Sequence, residues 1–292
     1  MSTIAFIGLG NMGRPMVGFL LKAGHQVRIY ARRPEVFQNE AKHLVDAGAV
    51  PCNTPAQAAE GADFIITNVM STQDVAEVLH AGQDPVIQSA KAGAICMDHS
   101  TIDPQGTKEI AAIMASKGVG YVDAPVSGGV KAAGEGALVM MMGGTDADVA
   151  KAKEIVKHYT KAVTHIGGVG HGQVAKLSNQ IAQVITIEGV AESLRFAAAN
   201  GADLQKVFEA ISGGMAGSRM LDLMGPKMVS RDFKAGIEAR LHAKDFFLVK
   251  DAANKAHLDM PALQTVALQL QKLMDAGWGY DDTSSLLKVL EA

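Results

Sequence analysis

Thr3-Ile4-Ala5-Phe6-Ile7-Gly8-Leu9-Gly10-Asn11-Met12-Gly13 is the stretch on which the fold of this chain turns. A β-type run leads directly into a G-x-G-x-x-G turn, and a helix-forming segment follows through Ala23, stopped by Gly24. Gly8 makes the tight turn, Gly10 lets a pyrophosphate come close to the backbone, and Gly13 lets helix and strand pack closely. The helix that begins there offers unpaired N–H groups and the positive end of its dipole to an anion. Six residues with three glycines make only a weak motif alone; strand before and helix after make it a dinucleotide-binding turn.

Outward from that turn, β-runs at Gln26–Tyr30, Phe64–Val69, Ala94–Asp98, Gly120–Asp123 and Ala137–Gly143 alternate with helical segments such as Asp74–Leu79 and Pro104–Lys117. Strands alternating with helices predict βαβ units and a mostly parallel sheet covered on both faces. Beyond about residue 165 the character changes. Val174–Asn200 has no proline and a single internal glycine, Gly189, which is too long for a strand. Helical segments follow at Asp203–Ile211, Met220–Met228, Leu241–His257 and Pro261–Ala276. The predicted fold class is α/β: a doubly wound Rossmann domain at 1–164, then an all-α domain at 165–292 built around the long helix. Gly167, Gly168, Gly170 and Gly172 are expected to form a flexible joint between them.

Composition narrows the function. The chain has 292 residues, 48% hydrophobic and 20% charged, so it has ample material for a core. Lys plus Arg number 27 against 30 acids, and aromatics are 5%, which speaks against a nucleic-acid surface. Cys52 and Cys96 are the only cysteines, so a disulfide scaffold, a zinc ribbon and an iron–sulfur site are not expected. The longest run without a charged residue, Ala162–Ala175, is glycine-rich and shorter than a membrane span. No signal peptide is read at the N-terminus, and a cytoplasmic location is expected. The nine histidines show no metal spacing, so no metal is expected; His99, His165 and His171 are read as structural.

Three further features carry chemistry. An NAD site usually has an acid at the end of the second strand, but this strand ends Tyr30-Ala31-Arg32-Arg33. Two guanidinium groups suit a 2′-phosphate, which points to NADP(H), with NAD possible; a solvated strand end is the other reading. Asp123-Ala124-Pro125-Val126-Ser127-Gly128-Gly129 sets a hydroxyl beside two glycine N–H groups, a receptor for a carboxylate or simply a tight turn. Lys176, Asn179, Gln180 and Gln183 share one face of the long helix. That polar stripe is either a solvent face or the lining of a cleft, with Lys176 a proton donor whose basicity burial would lower.

Together, Gly8–Gly13, Asp123–Gly129, Gly170–Gln180 around Lys176, and Leu241-His242-Ala243-Lys244-Asp245 resemble, in order and over essentially the whole chain, the β-hydroxyacid dehydrogenase family. The resemblance implies an NAD(P)-dependent oxidoreductase with a cleft between its domains, Lys176 catalytic, and Ser127, Gly128, Gly129, Asn179 and Gln180 on the substrate. It implies cofactor contacts from Gly8, Leu9, Gly10, Asn11, Met12, Gly13, Ala31, Arg32, Arg33, Val69, Met70, Thr101 and Lys244. The substrate would be a small carboxylate-bearing semialdehyde or hydroxyacid, and the protein a homodimer or homotetramer. Gly213–Ser218, Arg231–Lys234 and Lys176–Gln180 look most like members that reduce tartronate semialdehyde to D-glycerate. Oxidation of 3-hydroxyisobutyrate, reduction of succinic semialdehyde or glyoxylate, and a nucleotide-sensing scaffold without turnover are the alternatives. Imine reductases share the architecture but replace the lysine. Gln180 stands where many relatives carry Asn.

Overall fold

The computed structural model describes residues 1–292. Its β-strands are β1 Thr3–Ile7, β2 Gln26–Tyr30, β3 Val50–Pro51, β4 Phe64–Thr67, β5 Ile95–Asp98, β6 Gly120–Asp123, β7 Val126–Ser127, β8 Leu138–Gly143 and β9 Thr160–Gly167. Between them run α1 Gly13–Lys22, α2 Lys42–Asp46, α3 Pro55–Ala59, α4 Thr72–Ala76, α5 Pro104–Ala115, α6 Gly129–Gly134 and α7 Asp146–Val156. The strands form one sheet in the order β3-β2-β1-β4-β5-β6-β8-β7, with β9 also on β8. Strands β1 to β6 are mutually parallel; β8 is antiparallel to β6 and β7 and parallel to β9.

Residue alternation explains why this sheet is sandwiched. Along β1, Ile4 and Phe6 enter one apolar core while Ala5 and Ile7 enter the other. Along β5, Ile95 and Met97 take the first side and Cys96 the second. A period of two with both phases apolar is what a parallel sheet buried on both faces requires. The order of the strands reverses at β1, where the chain goes out through β2 and β3 and returns to place β4 on the other flank. Open sheets of this kind bind ligands at such a switch point, beyond the carboxyl ends of the strands.

The second half is helical: α8 His171–Ala199, α9 Leu204–Ser212, α10 Arg219–Ser230, α11 Ala239–Lys255, α12 Pro261–Asp275 and α13 Leu286–Glu291. Leu177, Val184, Ile187, Ala191 and Leu194 of α8 pack in one core with α10, α11 and α12. No helix is long and apolar enough to cross a membrane.

The chain divides into two compact units, Met1–Lys176 and Leu177–Ala292. The expected change of domain at 164/165 falls inside β9, and the first unit takes in the opening of α8. The glycine run read as a joint is fastened to the first unit. Gly144 N–H donates to Gly167 O (2.9 Å), and Gly170 N–H donates to the Asp123 carboxylate (2.7 Å).

Candidate active site

Strand register gathers the predicted residues of the first unit along one edge of the sheet. Ile7 pairs with Tyr30 on one side and Thr67 on the other, Thr67 with Asp98, and Asp98 with Asp123. The segments that leave these strands therefore emerge side by side. They carry Gly8–Gly13, Ala31–Arg33, Val69–Met70, Thr101 and Ser127–Gly129.

The glycine turn fits a dinucleotide. Gly8 has φ +104°, and a Cβ there would lie 2.2 Å from Asn68 O. A Cβ on Gly13 would meet Gly8 O at 2.2 Å, whereas one on Gly10 would meet nothing within 4 Å, leaving open space over the turn. No side chain caps α1, and its N-terminus would turn the positive end of the helix dipole toward an anion, although Arg14 N–H already donates to Gly10 O (3.2 Å) and Pro15 has no N–H. Arg14 braces the turn by donating to Leu9 O (2.8 Å) and Asn11 Oδ1 (2.9 Å). The residues present fit an NAD(P) pyrophosphate. Arg32 is paired with Asp74, and Arg33 lies 3.9 Å from Glu40, both arginines being largely exposed.

Beneath the loops lies a buried polar layer. Val69 N–H donates to Ser100 Oγ (2.9 Å), and Ser100 N–H donates to Asp98 Oδ1 (3.0 Å), which also accepts from Thr67 Oγ1 (2.8 Å). Burial pushes the Asp98 carboxyl up to about 6, although these donors pull it down. His99 is buried against the Tyr159 hydroxyl (2.9 Å) and pushed down to about 3, so it is a neutral structural histidine.

Lys176 is placed by the opening turns of α8. Asp123, at the end of β6, accepts from Gly170 N–H (2.7 Å) with one oxygen and from Gln173 N–H (2.9 Å) with the other. The Gln173 side chain donates to Ser100 O (2.8 Å) and accepts from Ile102 N–H (3.2 Å). The start of α8 is thus bound both to the strand that leads into Ser127 and to the loop that carries Thr101. Lys176 follows one turn later and is only 8% exposed. Ser127 pairs with Val139 across β7 and β8, and Gly128 beyond it has φ +126°.

In the second unit, Asn179 Nδ2 donates to Gln180 Oε1 (3.0 Å), and Gln180 Nε2 donates to Asp245 Oδ2 (2.7 Å). Asp245 also forms an ion pair with Lys244 (2.9 Å). Gln180, 2% exposed, therefore ties the α8 stripe to the Leu241–Asp245 motif, and Asn179 is the more open of the two amides.

Comparison with known proteins gives this arrangement its family. Residues 3–167 match the NAD binding domain of 6-phosphogluconate dehydrogenase, and residues 170–290 match the NAD-binding domain of NADP-dependent 3-hydroxyisobutyrate dehydrogenase. The 2-hydroxy-3-oxopropionate reductase of Escherichia coli K12 is 37% identical over 99% of this chain and 97% of its own length. The chain belongs to the β-hydroxyacid dehydrogenase family. Human mitochondrial 3-hydroxyisobutyrate dehydrogenase is 34% identical over 98% of this chain and 86% of its own. The structure of the Mycobacterium tuberculosis 3-hydroxyisobutyrate dehydrogenase with L-serine superimposes with a TM-score of 0.91 at 29% identity, covering 100% of both chains.

For a β-hydroxyacid dehydrogenase, the residues that sequence reasoning missed are those that position others. Asp98, Ser100, Asp123, Gln173 and Arg14 touch the predicted residues or the loops that carry them. Asp123 stood in a quoted motif, but its role depends on a β6–α8 contact across 47 and 50 positions of sequence. Gln173 stood one turn before Lys176, and the partners of its side chain lie more than 70 positions away.

Proposed function

We propose that this β-hydroxyacid dehydrogenase uses NADP(H) in preference to NAD(H) to reduce a short semialdehyde acid, tartronate semialdehyde to D-glycerate. The observation that carries the reading is Lys176. It is a buried lysine on α8, one turn past a helix start fastened by Asp123 and Gln173, and by the resemblance of Gly170–Gln180 it corresponds to the family's catalytic lysine. Similarity over almost the full length of the E. coli reductase supports the choice of substrate.

Gly8–Gly13 would hold the pyrophosphate, Arg32 and Arg33 the 2′-phosphate, and Ala31, Val69, Met70, Thr101 and Lys244 the remaining parts of the dinucleotide. The bound nicotinamide supplies the hydride that reaches the carbonyl carbon. Ser127 with the N–H groups of Gly128 and Gly129 receives the substrate carboxylate. The Lys176 ammonium stabilises the negative charge that grows on the carbonyl oxygen and gives that oxygen a proton. In the oxidative direction, neutral Lys176 takes the hydroxyl proton. Asn179 orients the reacting oxygen, and Gln180 acts with it through the amide–amide hydrogen bond.

The test is NADPH and NADH oxidation with tartronate semialdehyde, succinic semialdehyde, methylmalonate semialdehyde and glyoxylate. Tartronate semialdehyde with NADPH should give the highest kcat/KM. Lys176→Ala should lower kcat by about 10²–10⁴ while leaving NADPH affinity, read by fluorescence titration, nearly intact. A higher kcat/KM for methylmalonate semialdehyde would move the assignment to 3-hydroxyisobutyrate dehydrogenase. A Lys176→Ala enzyme within threefold of wild type would require another proton donor.

A further inference from the structure

The loop after β2 holds its arginine in a specific way. Arg32 reaches across to α4, where its Nη2 pairs with Asp74 Oδ1. Asp74 is itself held: its Oδ2 accepts from the Ser71 hydroxyl (2.7 Å), and its N–H donates back to Ser71 Oγ (3.1 Å). The pair is asymmetric in exposure, 68% for the Arg32 side chain and 18% for that of Asp74. An exposed ion pair of this kind contributes little to fold stability, because water screens it and ordering a long side chain costs entropy. It does, however, restrict where the guanidinium can be. Arg32 lies two residues beyond Tyr30, whose carbonyl accepts from Gly8 N–H (3.1 Å) at the head of the dinucleotide turn.

We propose that Asp74 is a positioning residue for cofactor selectivity, anchoring Arg32 by one nitrogen so that the rest of its fork meets the 2′-phosphate of NADP(H). The inference rests on the NADP(H) reading above. A guanidinium has five donors in a rigid plane, and Asp74 engages one of them, on Nη2, which leaves four N–H groups for a second anion. Immobilising the arginine before the cofactor arrives removes part of the ordering cost from binding. The same carboxylate without Arg32 would repel a phosphate, so Asp74 favours NADP(H) only through that arginine.

The experiment compares kcat/KM for NADPH and NADH in wild type, Arg32→Ala, Asp74→Ala, Asp74→Asn and the Arg32→Ala/Asp74→Ala double variant. Thermal melts check that each is folded. Wild type should prefer NADPH, and Arg32→Ala should cut that preference by about tenfold or more, one bidentate ionic contact being lost. Asp74→Ala should cut it by about three- to tenfold, through the KM for NADPH with kcat retained. Asp74→Asn, which keeps an acceptor for Arg32, should lose less. In the Arg32→Ala background, Asp74→Ala should give no further loss of NADPH preference. An equal loss for both cofactors, a loss larger for NADH, a gain in NADPH preference, or an additive loss in the double variant would each overturn the proposal. If Arg32→Ala lowers the preference and Asp74→Ala does not, only the role of Asp74 falls. If wild type favours NADH and Arg32→Ala leaves the ratio unchanged, the NADP(H) reading falls and takes this one with it.

Discussion

Asp98 shows how a single buried carboxyl can support a cofactor loop without touching the cofactor. It is fully buried at the end of β5, with Oδ1 accepting from Thr67 and Ser100 and Oδ2 without a partner. Burial raises it to about 6 from an ordinary 3.8, so the folded protein holds a proton that the unfolded chain releases earlier. Its favourable contribution is complete below about pH 4 and is lost as pH rises through about 6, amounting to about 3 kcal/mol in full. Asp98→Asn keeps an acceptor for Thr67 and Ser100 and cannot ionise. The Tm of wild type should fall between pH 4.5 and 7 more steeply than that of Asp98→Asn, and parallel curves would contradict the assignment. The glycines, Arg32, Ser127 and Lys176 could be singled out from sequence as candidates because each belongs to a local motif. Asp98 could not, because only the register of β4 and β5 brings Thr67 to the carboxyl that Ser100 also bonds.

At the scale of elements, α8 carries opposite demands along its length. Its first turns press onto the sheet. A Cβ on Gly172 would lie 2.6 Å from Asp123 O, 2.7 Å from Met141 O and 2.8 Å from Asp123 Oδ2. Backbone atoms cannot yield as a flexible side chain can, so Gly172→Ala must separate the helix from β6 and β8. It should cost about 1–3 kcal/mol and, on the role proposed for Lys176 one turn on, lower kcat. Gly189, further along the same helix, has nothing within 4 Å of its missing Cβ. Gly189→Ala should instead stabilise by about 0.5–1 kcal/mol, through lower backbone entropy in the unfolded chain. Urea unfolding of the two variants should give shifts of opposite sign, and a stabilising Gly172→Ala would show that the packing described is wrong. The long helix itself was legible in a run free of proline. Strand β9 was not: no residue of it is fully buried, from Val163 onward only every second one is even partly covered, and its glycine end reads as loop until β8 is there to pair with.

Over the whole molecule, the change from strand–helix alternation to helices alone could be read from sequence, while the depth to which each polar group is buried could not. That depth sets the pH response. Asp98 and Asp123 in the first unit and Glu188 in the second are raised mainly by burial. Asp63, Asp74, Asp282 and Glu291 are lowered, each with hydrogen bonds or a cation favouring its charged form. The lowered group contributes stability that disappears in acid, and the raised group contributes stability that disappears as pH climbs toward 8, so the optimum should lie on the mildly acidic side of neutrality. Glu188 governs the upper limb. It is 4% exposed on α8, neither oxygen has a hydrogen-bond partner, and the groups that act on its charge are Glu192, which opposes ionisation, and Lys272 on α12, which favours it. Burial and Glu192 prevail, and the carboxyl is pushed up to about 7. Above that pH the folded protein must ionise a group that has no hydrogen bond to receive the charge, whereas the unfolded chain ionised it near its ordinary 4.5. Glu188→Gln removes that penalty at almost constant volume. Its Tm should match wild type near pH 4.5 and exceed it by about 2–6 °C at pH 8.5. A Glu188→Gln protein that melts below wild type at pH 8.5 would mean that Lys272 outweighs burial and Glu192 and that the balance drawn here has the wrong sign.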